Sequence, residues 1–210
     1  MDGTAGYRAY PRPRLRSCHD VGMVLSLDVV RWPVRSERLV LRRLAEGDLP
    51  KIFAYRSQPQ VAEWTGGAAT DVDSLAERYG EGATAVVVEH HGQLIGDLMV
   101  KPQDAYAQRE VARRAAASEA ELGWTFDPAH HGRGLATEAI GALIRICFED
   151  LQIRRVVATC FTANEPSWRL MERLGMRREA HHVKSSLHRD RGWQDDYVYA
   201  LLADEWPRQT

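Results

Sequence analysis

The feature that most restricts the fold is a change of apolar period between residues 119 and 186. Residues 119–126 read as a strand, stopped by Asp127 and Pro128. Over residues 135–151, Leu135, Ala139, Leu143, Ile146 and Cys147 recur at helical spacing. Residues 154–161, holding Val156, Val157 and Ala158, return to strand. Asn164 then stands at a helix N-cap, with Pro166 in the first turn and Gly175 just past the end; residues 176–186 form a further strand. Strand, helix, strand, helix, strand in that order buries its apolar faces only as helices laid on a sheet, so the chain is α/β.

The flanking segments extend the same sheet. Residues 38–44 alternate as a strand, and Glu46-Gly-Asp-Leu-Pro opens a helix running to about Arg56. A short second helix follows Thr70 or Asp71, either of which can cap it. Residues 83–90 and 94–100 form a hairpin around His91-Gly92-Gln93. Residues 102–118, rich in Ala and Arg, read as a surface insertion, and residues 193–202 as the closing strand. By contrast, residues 1–34 mix Arg8, Arg12, Arg14 and Arg16 with Pro11 and Pro13, and read as a weakly ordered arm in which Met23 is a candidate start. The folded domain is expected over residues 35–206.

Composition removes several function classes. With 210 residues the chain buries a full core without staples. Lys and Arg number 28 against 29 Asp and Glu, a net charge of -1, which is not the basic field of a dedicated nucleic-acid binder. Cys18, Cys147 and Cys160 are too few and too scattered for a disulfide framework. No apolar run approaches the roughly 20 residues of a membrane span. Residues 21–27 follow several arginines but end at Asp28 without a small-residue cleavage pattern, so a cytoplasmic location is expected. The histidine pairs at 90–91, 130–131 and 181–182 point their members to opposite sides wherever they lie on strands, and no metal site is expected.

Chemistry concentrates at His130-His131-Gly132-Arg133-Gly134-Leu135-Ala136-Thr137, between a strand end and a helix start. Two glycines let the backbone turn tightly and approach a ligand. No Ser, Asp or Asn caps the helix, so its first N–H groups are open to an anion, with Arg133 the nearest side chain to share the load. One helix end contributes only about 0.3–1 kcal/mol per anion. A bare Gly-rich connection remains the alternative. The third glycine of a dinucleotide fingerprint is replaced by Thr137, and no Gly-Lys-Ser/Thr run exists, so both nucleotide motifs are disfavoured.

Taken together, Glu121-Leu-Gly-Trp-Thr-Phe, Asp127-Pro-Ala-His-His-Gly-Arg-Gly-Leu-Ala-Thr-Glu-Ala and Asn164-Glu-Pro-Ser-Trp-Arg-Leu-Met-Glu-Arg-Leu-Gly-Met resemble the GNAT superfamily of acetyl-CoA-dependent N-acetyltransferases, in its RimJ/RimL-like branch of ribosomal-protein N-terminal acetyltransferases. Ser36-Glu-Arg-Leu-Val-Leu-Arg and Asp195-Asp-Tyr-Val-Tyr-Ala-Leu-Leu fit the same branch, so the resemblance spans about residues 36–203. It implies a mixed, splayed sheet of about six or seven strands with about four helices. It also implies that acetyl-CoA is the cofactor and that the N–H groups of Gly132, Arg133, Gly134, Leu135, Ala136 and Thr137 hold its pyrophosphate. The pantetheine would pair with the strand carrying Trp124, Thr125 and Phe126, which splays from residues 154–161; Gly123 is a candidate bulge, and an N–H near Trp124 would hold the oxyanion. His131 stands where the family usually has Gln or Arg. Asn164 and Trp168 are carried over as cofactor contacts.

The family's usual Tyr acid falls at Met171, which cannot donate a proton; Ser167, three residues after Asn164, is the branch's alternative at the coenzyme sulfur. Glu121 is the candidate base, equally readable as a structural carboxylate, while a second Glu found in part of the branch is replaced by Lys184-Ser185-Ser186. Asp97 and Asp196 are fallback bases and, with Trp64, candidate acceptor contacts. Trp193 is a further aromatic that could line that site. Holding a Lys ammonium neutral at pH 7 costs about 4.6 kcal/mol, an α-amine about 1.4 kcal/mol. The acceptor expected is therefore a primary amine, best a peptide N-terminus or a small-molecule amine, with an aminoglycoside or polyamine acetyltransferase and a non-catalytic acyl-CoA sensor as alternatives. A homodimer is expected; nucleic acid and membrane are not.

Overall fold

In the computed structural model, residues 26–67, 69–80 and 84–207 are described. In chain order the elements are β1 (Val34–Arg35), β2 (Leu39–Arg43), α1 (Leu49–Arg56), α2 (Pro59–Ala62), α3 (Val72–Gly80), β3 (Thr84–His90), β4 (Gln93–Gln103), α4 (Ala112–Ala115), β5 (Glu119–Phe126), α5 (Leu135–Arg145), β6 (Arg155–Phe161), α6 (Glu165–Arg173), β7 (Arg177–His188) and β8 (Gly192–Leu202). The eight strands make one sheet in the order β1-β2-β3-β4-β5-β6-β8-β7. All pairs are antiparallel except β5–β6.

The sheet exceeds the expected six or seven strands because residues 26–35 are structured. Leu27 and Val30 are buried, Trp32 Nε1 donates to the Leu27 carbonyl at 2.9 Å, and β1 pairs with β2. The arm expected over residues 1–34 is therefore wrong for its last nine residues, whose apolar side chains cover the edge of the core. Residues 1–25, with Cys18, Met23 and the arginine cluster, lie outside the described residues. Four helices have eight residues or more, as expected; α2 and α4 are single turns that periodicity is too short to reveal.

Strand alternation sorts the side chains into two layers. Val86, Val88, Leu98, Val100, Ala120, Leu122, Val156 and Ala158 pack under α5 and α6 in the larger core. Val87 and Leu94 pack under α1 and α3 with Leu49, Ile52, Tyr55 and Leu75. At roughly 25 cal/mol per Å² of apolar surface, each fully buried Leu or Ile contributes about 1.5–3 kcal/mol to this sandwich. Asp71 caps α3 by accepting from Ser74 N at 2.7 Å.

The sheet is split at its centre. β5 and β6 pair only at Glu119–Arg155, Ala120–Val156 and Glu121–Val157, after which both strands continue without a shared ladder. On its other side β5 stays paired with β4 through Phe126. That pairing passes Gly123 opposite Met99 without a register shift, so the expected bulge at Gly123 is absent; the divergence of β6 alone opens the cleft.

Candidate active site

A cavity of about 1070 Å³ runs through the split from one face of the sheet to the other. Its first wall is the turn into α5. Gly132 and Gly134 have φ of 73° and 74°, left-handed values that glycine adopts without strain, and Gly134 is the N-cap with no side-chain bond. Glu138 N–H is the first to close on Gly134 O, at 3.1 Å. The N–H groups of Leu135, Ala136 and Thr137 therefore have no intrahelical acceptor, and all three residues line the cavity.

Long-range contacts fix this turn. Arg38 Nη1 donates to Arg133 O at 3.0 Å, and its Nε and backbone N donate to the two Glu138 carboxylate oxygens, both at 2.7 Å. Ser36 Oγ donates to Glu138 as well, at 2.7 Å. Burial raises the Glu138 carboxyl, but these donors outweigh it and hold the group below the usual carboxylate range. His131 Nε2 lies 3.2 Å from Phe126 O, so its ring braces the strand end. Arg173 on α6 reaches back to Thr137 Oγ1 at 3.5 Å and lines the cavity, a cation beside the open amides that sequence reasoning missed.

The second wall is the start of α6. Asn164 Oδ1 accepts from Ser167 N at 3.4 Å, the capping role its sequence position predicts. Ser167 and Cys160 of β6 both line the cavity, with the Ser167 side chain beside the thiol. Burial pushes that thiol up to about 11, with Ser167 pulling the other way, so Cys160 is held protonated rather than poised as a nucleophile. Trp168, expected at the cofactor, is absent from the lining: its indole N–H donates to Thr162 O at 3.2 Å and its ring packs edge-on to Tyr197, 6.4 Å between centroids. It anchors α6 on the sheet because, on a helix, Trp168 points a full residue step away from Ser167.

Strand registers set the opposite face of the cleft. Asp97 pairs with Thr125, Met99 with Gly123, Lys101 with Glu121 and Phe161 with Asp196, which puts Asp97, Glu121 and Asp196 on the face beneath α1 and α3. Glu121 lines the cavity and accepts only from Gln103 Nε2, at 3.0 Å, among the described residues. Asp196 is buried. Burial disfavours its charge, yet the hydroxyls of Ser185 and Ser186 and the His182 ring, Nδ1 to Oδ1 3.0 Å, win and hold its carboxyl low. A left-handed Lys184, φ 48°, and a register break between His182 and Ser186 in β7 bring both serines to it.

Asp97 is different. Its carboxylate accepts from Tyr55 Oη and Tyr79 Oη, each at 2.7 Å, and from Arg56 Nε at 2.9 Å and Nη2. With every oxygen engaged it is no proton acceptor, which corrects its standing as a fallback base; the residues that consume it come from α1 and α3, far away in sequence. Burial, then the Asp97 charge, raises both phenols far above their ordinary value. Trp64 does line the cavity, within an aromatic group whose centroids lie 6.4 Å from Phe161 and 6.0 Å from His188. Trp193 is 59% exposed and stands outside the lining. Arg56, Arg78 and Tyr79 also line this end, and none carried a sequence signal.

An α/β sheet split between two parallel strands, with an uncapped helix facing the gap, defines a class with an elongated cleft that ends on an anion-binding helix start. Residues 38–177 match the acetyltransferase (GNAT) domain model, and the chain belongs to that family. An uncharacterised N-acetyltransferase from Bacillus subtilis, YnaD, is 28% identical over 179 residues, 82% of this chain and 98% of the relative. The [ribosomal protein uS5]-alanine N-acetyltransferase of Escherichia coli is 33% identical over 85 residues, 40% of this chain and 43% of the relative. A GNAT-family acetyltransferase structure from Bacillus anthracis superposes with a TM-score of 0.69 at 28% identity, covering 82% and 99% of the two chains. Mycobacterium smegmatis RimJ in complex with CoA-disulfide shares the fold, with a TM-score of 0.68 at 24% identity, over 81% and 85%. The protein is thus an acetyl-CoA-dependent N-acetyltransferase acting on an amine acceptor. No described helix is long and apolar enough to cross a membrane.

Proposed function

We propose that this N-acetyltransferase acylates an α-amine, of a peptide N-terminus or a small molecule, by direct attack on the bound thioester. The observation that carries the reading is the single cavity joining the open amides of Leu135, Ala136 and Thr137 to Ser167 on one side and to Glu121 and Asp196 on the other. The diphosphate rests on the α5 amides, with Arg133 and Arg173 adding charge. Trp124 to Phe126 lie where β5 has lost its β6 partner, so their backbone groups on that side suit the pantetheine amides and the developing oxyanion. Ser167 donates to the departing sulfur in place of the missing Tyr. Glu121, with one carboxylate oxygen unengaged among the described residues, takes the amine proton directly or through water. Asp196 receives the ammonium form of the acceptor: with its charge held by hydroxyls and an imidazole rather than by a guanidinium, it keeps field to spare.

A thiol-release assay with acetyl-CoA and a panel of amines tests this. Glu121→Gln is expected to lower kcat about 100-fold and Ser167→Ala about 10-fold, with coenzyme A affinity by calorimetry unchanged within a few-fold. Unchanged kcat in both variants, or a Lys side chain acetylated as well as any α-amine, would overturn the reading.

A further inference from the structure

We propose that the acceptor amine carries a carboxylate, which Arg78 receives at the mouth of the acceptor face, with Arg189 adding positive field from behind the same loop. This deepens the α-amine reading above and rests on it. Arg78 projects from α3 into the cavity, and Nη1 donates to Gly67 O at 2.9 Å. Arg189, in the β7–β8 turn, donates from Nη2 to Thr65 O at 2.7 Å. The two guanidiniums, 111 residues apart in sequence, thus hang on the same short loop after α2.

Neither has a carboxylate partner among the described residues. Two carboxylates at this end are already engaged, Asp97 by Arg56, Tyr55 and Tyr79, and Glu63 by Arg191, whose guanidinium also lies 5.1 Å from the Trp64 ring centroid, while Asp190, next to Arg189 in the chain, forms no ion pair with it. Burial, then the Arg56 charge and more weakly that of Arg189, makes protonated Arg78 less favourable than in water, partly offset by Tyr79 and Asp97. A partly buried guanidinium bonded to a backbone carbonyl is costly to keep charged, and a bound anion removes that cost. Each guanidinium has further N–H donors in a planar fork, the geometry that grips a carboxylate through two parallel bonds.

The cavity is therefore polarised across the acceptor face. The sheet presents carboxylates, Glu121 and Asp196, toward the reacting amine, and α3 presents the Arg78 guanidinium at the mouth, with Arg189 outside the lining on the same loop. A molecule with an ammonium at one end and a carboxylate a few bonds away matches both. A polyamine matches the sheet but meets repulsion at the mouth. The carboxylate has two sources, a free amino acid or an acidic residue following a peptide's N-terminal one.

The experiment compares matched pairs: peptides differing only by Glu or Gln at the second position, and amino acids against their carboxamides, with spermidine as the cationic control. In the wild-type protein one acid member is expected to show a KM about 10- to 100-fold below its amide, the size of a charge-assisted bidentate bond; which pair shows it identifies the source. Arg78→Gln should cut kcat/KM for that acid by a similar factor and for its amide less than threefold, and Arg189→Gln should do the same more weakly. Calorimetry with the CoA-loaded protein reads the same preference without turnover. Equal KM and equal binding for acid and amide, a preference for spermidine, or a loss in Arg78→Gln that is the same for both members would overturn the proposal while leaving amine acetylation standing. Absence of coenzyme A binding would instead remove the reading beneath it.

Discussion

The two ends of the cavity are built by opposite strategies. At the α5 end, the open N–H groups of Leu135, Ala136 and Thr137, which we propose hold the cofactor, come from contiguous residues, and two left-handed glycines and an uncapped helix create them. At the acceptor end the partners of each carboxylate come from other elements of the fold. Asp97 from β4 is held by Tyr55 and Arg56 from α1 and Tyr79 from α3, and Asp196 from β8 by serines from β7. The first end is shaped by a local conformation, the second by pairings between distant elements. Local geometry survives damage elsewhere in the fold, whereas an assembled network passes any loss into stability.

The largest effect expected from this contrast is at Asp97. Asp97→Asn leaves the nearly buried Arg56 uncompensated and should cost about 3–5 kcal/mol of unfolding free energy in a denaturant titration. Coenzyme A affinity, measured on the folded fraction, should stay within threefold. A tenfold loss of that affinity would show that the two ends are coupled and break the comparison.

Gly134→Val is the converse change. A β-branched residue at φ 74° costs about 1–2 kcal/mol and misplaces the N–H groups beyond it. Calorimetry should show coenzyme A binding at least 10-fold weaker, with a smaller stability loss than Asp97→Asn. Binding at wild-type strength would mean that the amides of this turn do not hold the diphosphate.

Arg38 sharpens the contrast from between these extremes, since it is the long-range brace of the local site. Its ion pair with Glu138 is partly exposed, so Arg38→Ala should cost under about 1 kcal/mol of stability and weaken coenzyme A only a few-fold. The same pair sets a pH dependence. The Glu138 carboxyl is held below its ordinary 4.5, so its contribution is complete above that pH and fades as pH falls through the lowered value. Melting temperatures should accordingly converge between wild type and Arg38→Ala as pH drops below about 4.5, and a difference that persists at pH 3 would deny the pair this role.

How much of this was legible in the sequence follows the same division. Asn164 and Gly134 do what their positions indicate, because an N-cap and an uncapped glycine turn are decided by a few adjacent dihedrals. Trp168, carried over from the resemblance as a cofactor contact, points away from Ser167 on α6 and packs on Tyr197. Asp97 read as a free carboxylate because nothing near it in the chain reports that Tyr55, Arg56 and Tyr79 converge on it. Gly123 suggested a bulge, while the cleft comes from β6 leaving a regular β5.

The sequence alone determined the α/β alternation, the hairpin, the turn into α5 and the caps, since each depends on φ, ψ and side-chain period within a few residues. Tertiary structure alone decided which carboxylates remain available to a substrate, that residues 26–35 join the sheet, and that Arg78 and Arg189 meet on one loop. A charge is spent or spared by partners that arrive from anywhere in the chain, and only the folded sheet brings those partners within hydrogen-bonding distance.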